Sequence, residues 1–518
     1  MLAAILTRAS VGLDAPVVTV EVHASNGLPA LSIVGLPEAS VRESRERVRS
    51  ALISSGFALP PKRITVNLAP ADLPKSGGRY DLSIAIGILT ATDQLLVEGI
   101  EQFEFYGELG LSGELRSVPG VLSALVNCEK AQRTPIIPQI NAPEARVLLA
   151  NRLHNNDEPC QSVQPTVLSA TSLLEVCGFL LQQTQLSAIT FEKTPSQPYS
   201  KDIADISGQV HAKRVLELCA SGGHSLLMVG PPGSGKSMLA SRLVTLLPEI
   251  AQPQALELAS IYSVAGKTVD VATINQTKLV SPHHSASSAA MVGGGSIPKP
   301  GAISLAHNGV LFLDELPEFA RPVLEALREP LETQQVEISR VQQQITFPAK
   351  FLLVAAMNPS PSGYFADDPF GRCTDTPDQI ARYQQKISGP LLDRIDLHLE
   401  VPPVDIDALQ QLRDPQTETS DQVRARVEKV RYKQTARQGC LNSELTPQQI
   451  NEQIPLDEMS QKLLRNAVEK MGISARSYHR ILRVARTLAD MNDIDKVQAM
   501  HIAEALSYRT LDRKMGGY

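Results

Sequence analysis

One stretch, Gly230-Pro231-Pro232-Gly233-Ser234-Gly235-Lys236-Ser237, constrains the fold of this chain more than any other. The run before it, residues 225–229, is short and apolar, as in a buried strand. The run after it, residues 238–247, has the apolar spacing of a helix. Strand, glycine-rich loop and helix in that order turn backbone N–H groups inward around phosphates, and the helix N-terminus adds a favourable dipole. The spacing predicts an α/β core in which the loop cradles a nucleoside triphosphate, Lys236 reaches the β- and γ-phosphates, and the Ser237 hydroxyl ligates Mg²⁺.

Hydrolysis needs further groups, and the chain offers them in order. Val310-Leu311-Phe312-Leu313-Asp314-Glu315 reads as a buried parallel strand ending in two carboxylates. Asp314 is the candidate to hold Mg²⁺ through water, and Glu315 the candidate general base. A second apolar run, residues 351–357, ends in Asn358, a neutral amide suited to sensing a γ-phosphate; alone, Asn before Pro is more often a turn residue. Arg394 follows a predicted helix and precedes a predicted strand at 397–401. It reads either as an arginine finger for a neighbouring subunit or as a structural arginine paired with Asp393 or Asp396. Ser474 is placed to cap a helix carrying Arg476, Arg480, Arg483 and Arg486. Such arginines usually form a solvated face; Arg476 is the candidate to reach a nucleotide.

At 518 residues the chain is too long for one core. A net charge of −6 excludes a global basic field, so any nucleic-acid binding must come from a local groove or ring. The absence of Trp argues against a base-stacking platform. Six scattered cysteines fit a reducing compartment, and neither a signal peptide nor a membrane-length apolar run is found, so a cytoplasmic location is expected. By texture, residues 1–180 mix β-like and helical runs, 181–200 read as a linker, 201–403 hold the phosphate loop, and 404–518 are helical.

Taken together, the loop, Asp314-Glu315, Asn358 and Leu391-Leu392-Asp393-Arg394 resemble AAA+ ATPases of the magnesium-chelatase-like group. Pro282-His283-His284-Ser285-Ala286-Ser287, Gly293-Gly294-Gly295-Ser296, Ala306-His307-Asn308-Gly309 and Ser388-Gly389-Pro390-Leu391 narrow the resemblance to the YifB/ComM family. Gly35-Leu36-Pro37-Glu38 and the stretch from Pro74 to Leu82 agree with it. The resemblance implies an N-terminal domain like the Lon protease domain (the ribosomal S5 domain 2-like α+β fold), a central AAA+ core and a helical lid. Arg79 stands where the Lon nucleophile would fall, and residues 115–124 contain no Lys, so no peptidase activity is expected.

The resemblance also implies two insertions in the core, at about 265–301 and about 335–347. The second is a hairpin with Arg340 at its turn, a candidate DNA-phosphate contact, with Lys299 in the first insertion a weaker one. Solvated surface is the alternative for both. Family members carry a four-sulfur zinc site where this chain has Ser360-Pro361-Ser362-Gly363 and Cys373-Thr374-Asp375, so no zinc is expected. The function implied is that of an ATP-driven homo-hexameric ring, formed with ATP. It would pass single-stranded or branched DNA through a central pore as a helicase and branch-migration motor in natural transformation, without a membrane and with recombination proteins as candidate partners. A magnesium-chelatase-type motor subunit and a protein remodeller stand as the alternatives.

Overall fold

The computed structural model describes residues 2–34, 39–73, 75, 77–155, 166–191, 197–295, 298–340, 343–403, 417–471 and 473–509. The quoted Gly35-Leu36-Pro37-Glu38 stretch, Pro74, Ser76, Ser296 and the expected domain boundary at 403/404 lie wholly or partly outside these residues.

The N-terminal region starts from alternation. Along Val17–Ser25 every second side chain (Val18, Val20, Val22) is buried, the two-residue period of a half-covered strand. This strand pairs antiparallel with Leu2–Arg8 on one side and Arg63–Ala69 on the other, and Ala30–Val34 joins the latter in parallel. The helix Asp81–Ala91 is apolar all round and fully covered but for Thr90, as expected of a helix inside a core. A second four-stranded sheet runs in the order Ser187–Ala188, Leu168–Ala170, Thr134–Pro138, Phe103–Phe105. Part of the expected linker therefore belongs to this sheet. The pairing of Ser187 with Ser169 is a non-local contact that composition does not reveal.

The central sheet has five parallel strands in the order Leu279–Val280, Val310–Leu313, Leu352–Met357, Leu226–Val229, Leu397–Glu400. Its inner strands are continuous apolar runs because helices cover both faces. The expected first insertion is thus not one excursion: Leu279–Val280 returns to the sheet edge beside Val310–Leu313 before the chain leaves again. The second insertion is the expected hairpin, Gln335–Arg340 against Gln343–Pro348, with Val336 opposite Phe347 and Ile338 opposite Ile345.

The C-terminal helices Ser420–Gln438, Pro447–Gln453, Glu458–Met471, Ala475–Met491 and Ala499–Ser507 do not form a separate core. Ile481, Leu482, Val484, Ala485 and Leu488 pack in one cluster with Leu226, Val354 and Leu397 of the sheet. The N-terminal region is joined just as firmly. Ala255, Leu258 and Ala259 of the helix Gln252–Val264 share a core with Leu122, Leu125, Ala145 and Leu148. Gly120 N–H donates to Ser263 O at 2.9 Å, and the buried Glu144 carboxylate accepts from Leu122 N–H at 3.0 Å and from the Ser263 hydroxyl. Among the described residues no helix is long and apolar enough to cross a membrane.

Candidate nucleotide site

Parallel register assembles the site. Val229 lies opposite Met357 and Glu400, and Leu313 lies opposite Ala355, so the carboxyl ends of three neighbouring strands deliver Gly230, Asp314 and Asn358 to one edge. This is the crevice in which α/β sheets bind ligands. Gly230 is required there because a Cβ would overlap the Val401 carbonyl oxygen. Gly235, at φ 88°, caps the helix Lys236–Leu246 in the left-handed region open to glycine. The loop Gly230, Pro231, Pro232, Gly233, Ser234, Gly235 thus ends on a helix whose first N–H groups have no intrahelical acceptor.

Lys236 donates to Gly230 O at 2.7 Å, Pro231 O at 2.9 Å and Asn358 Oδ1 at 3.3 Å. Burial pulls its pKa below the ordinary lysine value, opposed by Asp314 and Glu315. The Ser237 hydroxyl donates to Asp314 Oδ2 at 2.7 Å. These are the two oxygen ligands foreseen for Mg²⁺, already beside each other, and hard oxygen donors suit that ion. The donor set therefore fits a Mg²⁺-nucleotide.

Glu315 sits at φ 54°, a conformation uncommon for a residue with a side chain, and its N–H donates to Asp314 Oδ1 at 3.0 Å. Its carboxylate is half exposed and meets His284 Nδ1 at 3.0 Å. His283 packs against His284 with ring centroids 4.1 Å apart. The contact of His284 with Glu315 was missed from sequence because 31 positions separate them, although His284 lay in a family-specific stretch. Gln209 was missed too; its amide donates to Ser234 O at 2.9 Å.

The two arginines lie elsewhere. Arg394 precedes Leu397–Glu400 and so stands at the amino end of the parallel sheet, opposite the phosphate loop. A four-residue strand separates those ends by about 13 Å. Its side chain is 6 % exposed; the guanidinium donates to Pro390 O at 2.7 Å and is ion-paired to Glu332, whose side chain is 54 % exposed. The ion-pair partner is therefore neither Asp393 nor Asp396, the two considered from sequence. Glu332 is brought in by tertiary folding across 62 positions.

Ser474 caps Ala475–Met491 as expected, accepting from Ser477 N–H at 3.2 Å, and Arg476 is exposed on the first turn. One turn later Arg480 is ion-paired to Asp396. The structure therefore brings Arg476 to the Arg394 end of the sheet rather than to its own phosphate loop.

Of the DNA-contact candidates, Lys299 is exposed on the short strand Lys299–Pro300, paired with Gly293–Gly294, and Arg340 ends the first arm of the hairpin, opposite Gln343. The two insertions touch, since a Cβ on Gly293 would crowd Ile338. At the positions corresponding to the zinc site, Cys373 Sγ lies 3.8 Å from Ser362 Oγ and 4.0 Å from Ser360 Oγ, and Ser362 N–H donates to Asp375 at 2.7 Å. Arg79 is 3 % exposed, and its guanidinium nitrogens find no hydrogen-bond partner among the described residues.

Comparison with known proteins gives the chain a family. Three family models match: "Magnesium chelatase, subunit ChlI" over residues 202–409, "Subunit ChlI of Mg-chelatase" over 20–141, and "Magnesium chelatase, subunit ChlI C-terminal" over 417–509. Competence protein ComM of Haemophilus influenzae is 49% identical, covering 99% of this chain and 98% of that protein. The uncharacterized protein YifB of Escherichia coli is 47% identical, covering 98% and 97%. A DNA replication licensing factor, mcm6 of Dictyostelium discoideum, is 25% identical over 194 residues, 38% of this chain and 19% of that protein. This chain belongs to the ComM/YifB family of magnesium-chelatase-like proteins.

Proposed function

We propose that this protein is an AAA+ ATPase that assembles with ATP into a ring, most simply a hexamer, and acts as a DNA motor in helicase and branch-migration steps of natural transformation. The observation that carries the reading is the split of the machinery between the two ends of one sheet. The loop, Ser237, Asp314, Glu315 and Asn358 cluster at the carboxyl end, and Arg394 with Arg476 at the amino end. Arg394, fixed just before a strand of the sheet, is held about a strand's length from its own phosphate loop, and the ion pair of Arg480 with Asp396 ties the helix of Arg476 to that same end. A head-to-tail ring supplies both arginines from the next subunit, and repeated heterologous interfaces close into rings.

In that ring Lys236 leaves its carbonyl partners for the β- and γ-phosphates, while Ser237 and Asp314 hold Mg²⁺. The ion shields phosphate charge when bound. Asn358 orients the attacking water and Glu315 accepts its proton as the new bond to the γ-phosphorus forms. The bond to the bridging oxygen breaks, giving ADP and phosphate. The neighbour's Arg394 and Arg476 stabilise the transferring charge. The hairpins carrying Arg340 and Lys299 contact DNA phosphates in the pore. The N-terminal region is read as a Lon-like domain without a nucleophile, an assembly or DNA-handling module, and the location as cytoplasmic.

DNA as the load is supported by the names of the relatives, a competence protein over the full length and a replication licensing factor over part of it. The names of the family models favour a second reading, the motor subunit of a chelatase. ATP hydrolysis measured with DNA, a porphyrin plus Mg²⁺, or an unfolded protein separates the readings. Stimulation by DNA, lost in Lys236→Ala along with migration of a branched DNA, is expected. Stimulation by porphyrin or unfolded protein alone would overturn the DNA reading.

A further inference from the structure

The two arginines assigned to the neighbouring site come from segments 82 positions apart, and one side chain joins those segments. Asp396 is 5 % exposed. Its Oδ1 is ion-paired to Arg480, one turn beyond Arg476 on the same helix. Its Oδ2 accepts from Ser225 N–H at 3.1 Å, and its own N–H donates to Ser225 Oγ at 2.9 Å. Ser225 Oγ is in turn within 3.1 Å of Arg394 O and 3.2 Å of Asp396 Oδ2. His224 Nδ1 approaches Asp396 Oδ2 to 3.6 Å.

A second tie runs parallel. Arg509, also buried, donates to Ile395 O and to the Ser477 hydroxyl at 3.0 Å, joining the residue after Arg394 to the residue after Arg476. Burial alone would raise the Asp396 pKa; Arg480, with His224, outweighs it and holds the carboxyl well below its usual range.

We infer that Asp396, through Arg480, is the positioning residue that fixes Arg394 and Arg476 in register as one two-arginine unit presented to the neighbouring subunit's nucleotide. The pair touches no phosphate itself. Each arginine lies within one turn or two residues of it, so losing the pair leaves the first turn of Ala475–Met491 held to the Arg394 segment by Arg509 alone and lets it shift relative to Arg394. Misplacement of about 1 Å at a catalytic group costs on the order of 100-fold in rate. The same carboxylate holds Ser225, immediately before the strand Leu226–Val229 that ends in the phosphate loop. The arginine unit is thereby anchored to the subunit's own nucleotide strand.

This inference rests on the proposed ring, and a mixing experiment separates the two. Asp396→Asn is expected to bind a fluorescent ATP analogue as wild type does and to hydrolyse ATP about 100-fold more slowly when assembled. Glu315→Gln is inactive at its own site but keeps intact arginines. Mixed one to one, Asp396→Asn sites followed by Glu315→Gln neighbours regain both halves, and random head-to-tail assembly makes about a quarter of the interfaces productive. Return of about a quarter of wild-type ATPase supports the assignment.

The control mixes Arg394→Ala with Glu315→Gln. If the control fails to recover, the ring reading falls. If the control recovers and the Asp396→Asn mixture does not, Asp396 acts on its own subunit and the inference falls. Should Asp396→Asn not fold, Arg480→Gln, from the more exposed partner, takes its place with the same two outcomes.

Discussion

Glu332 holds Arg394 in the single subunit, and removing it has a consequence of definite sign. The Arg394 side chain is 6 % exposed while the Glu332 side chain is 54 % exposed. A pair with one partner in water contributes about 1 kcal/mol, because solvent screens it. If Arg394 must leave Glu332 to enter the neighbour's site, that energy opposes assembly and amounts to roughly 5-fold per interface. Glu332→Ala is therefore expected to raise steady-state ATPase at least about 5-fold at subunit concentrations below those that saturate the ring, where several interfaces form together. At saturating concentration the rate stays within about 2-fold of wild type, since the ground-state contact is then already broken. Arg394→Ala measured alongside loses at least about 1,000-fold at every concentration. The assay is ATPase rate against subunit concentration, with oligomer size followed by light scattering. A Glu332→Ala protein that is slower at every concentration and melts lower would refute the reasoning, since Glu332 would then serve only to neutralise a buried cation.

Other predictions follow from the N-terminal region and the loop at 360–375. Arg79 is buried with no hydrogen-bond partner for its guanidinium among the described residues, and burial lowers its pKa against the pull of the Glu144 carboxylate, so Arg79→Met is expected to leave the melting temperature unchanged or higher; a large drop would show that the attraction to Glu144 outweighs the cost of burying the charge. Asp81 is pushed up to about 6 by burial, against the pull of Arg47, from an ordinary 3.8. Its folded value exceeds its unfolded one, so its contribution is full below about pH 4 and is lost as pH rises through 6, about 3 kcal/mol in all. Hydrogen exchange of the Asp81–Ala91 helix should therefore quicken between pH 4 and 7, after correction for intrinsic exchange, and Asp81→Asn should flatten that dependence; an unchanged slope would count against it. The spacing of Cys373 from Ser360 and Ser362 matches the edge of a tetrahedral zinc site, about 3.8 Å for Zn–S bonds of about 2.3 Å. The variant Ser360→Cys, Ser362→Cys, Asp375→Cys should bind one zinc and melt higher, whereas the natural protein should not change its melting on chelation; zinc found in the latter would reverse the argument.

Local chemistry made much of this legible in advance. The phosphate loop could be read because Gly230, Gly235 and Lys236 each answer a local demand: a close approach, a left-handed cap and a charge at a helix start. The strands ending in Asp314 and Asn358 could be read because buried parallel strands leave continuous apolar runs. The hairpin at Gln335–Arg340 and Gln343–Pro348 showed through its two β-like arms. Elements of two residues did not. Leu279–Val280 and Ser187–Ala188 carry too little pattern and are defined only by the strands they join.

The sequence by itself determined the candidate groups, a glycine-rich loop between strand and helix, two carboxylates at a strand end and a supply of arginines, because each depends on residues adjacent along the chain. Only the tertiary structure decided which groups share a site and which are kept apart. His284 meets Glu315, Glu332 meets Arg394, and Asp396 meets Arg480 across 31, 62 and 84 positions respectively. The parallel direction of Leu226–Val229 and Leu397–Glu400, with the Arg480–Asp396 pair, put Arg394 and Arg476 at the end of the sheet away from the phosphate loop. Side-chain pairing at such separations is set by how strands and helices pack in three dimensions, and no local spacing encodes it.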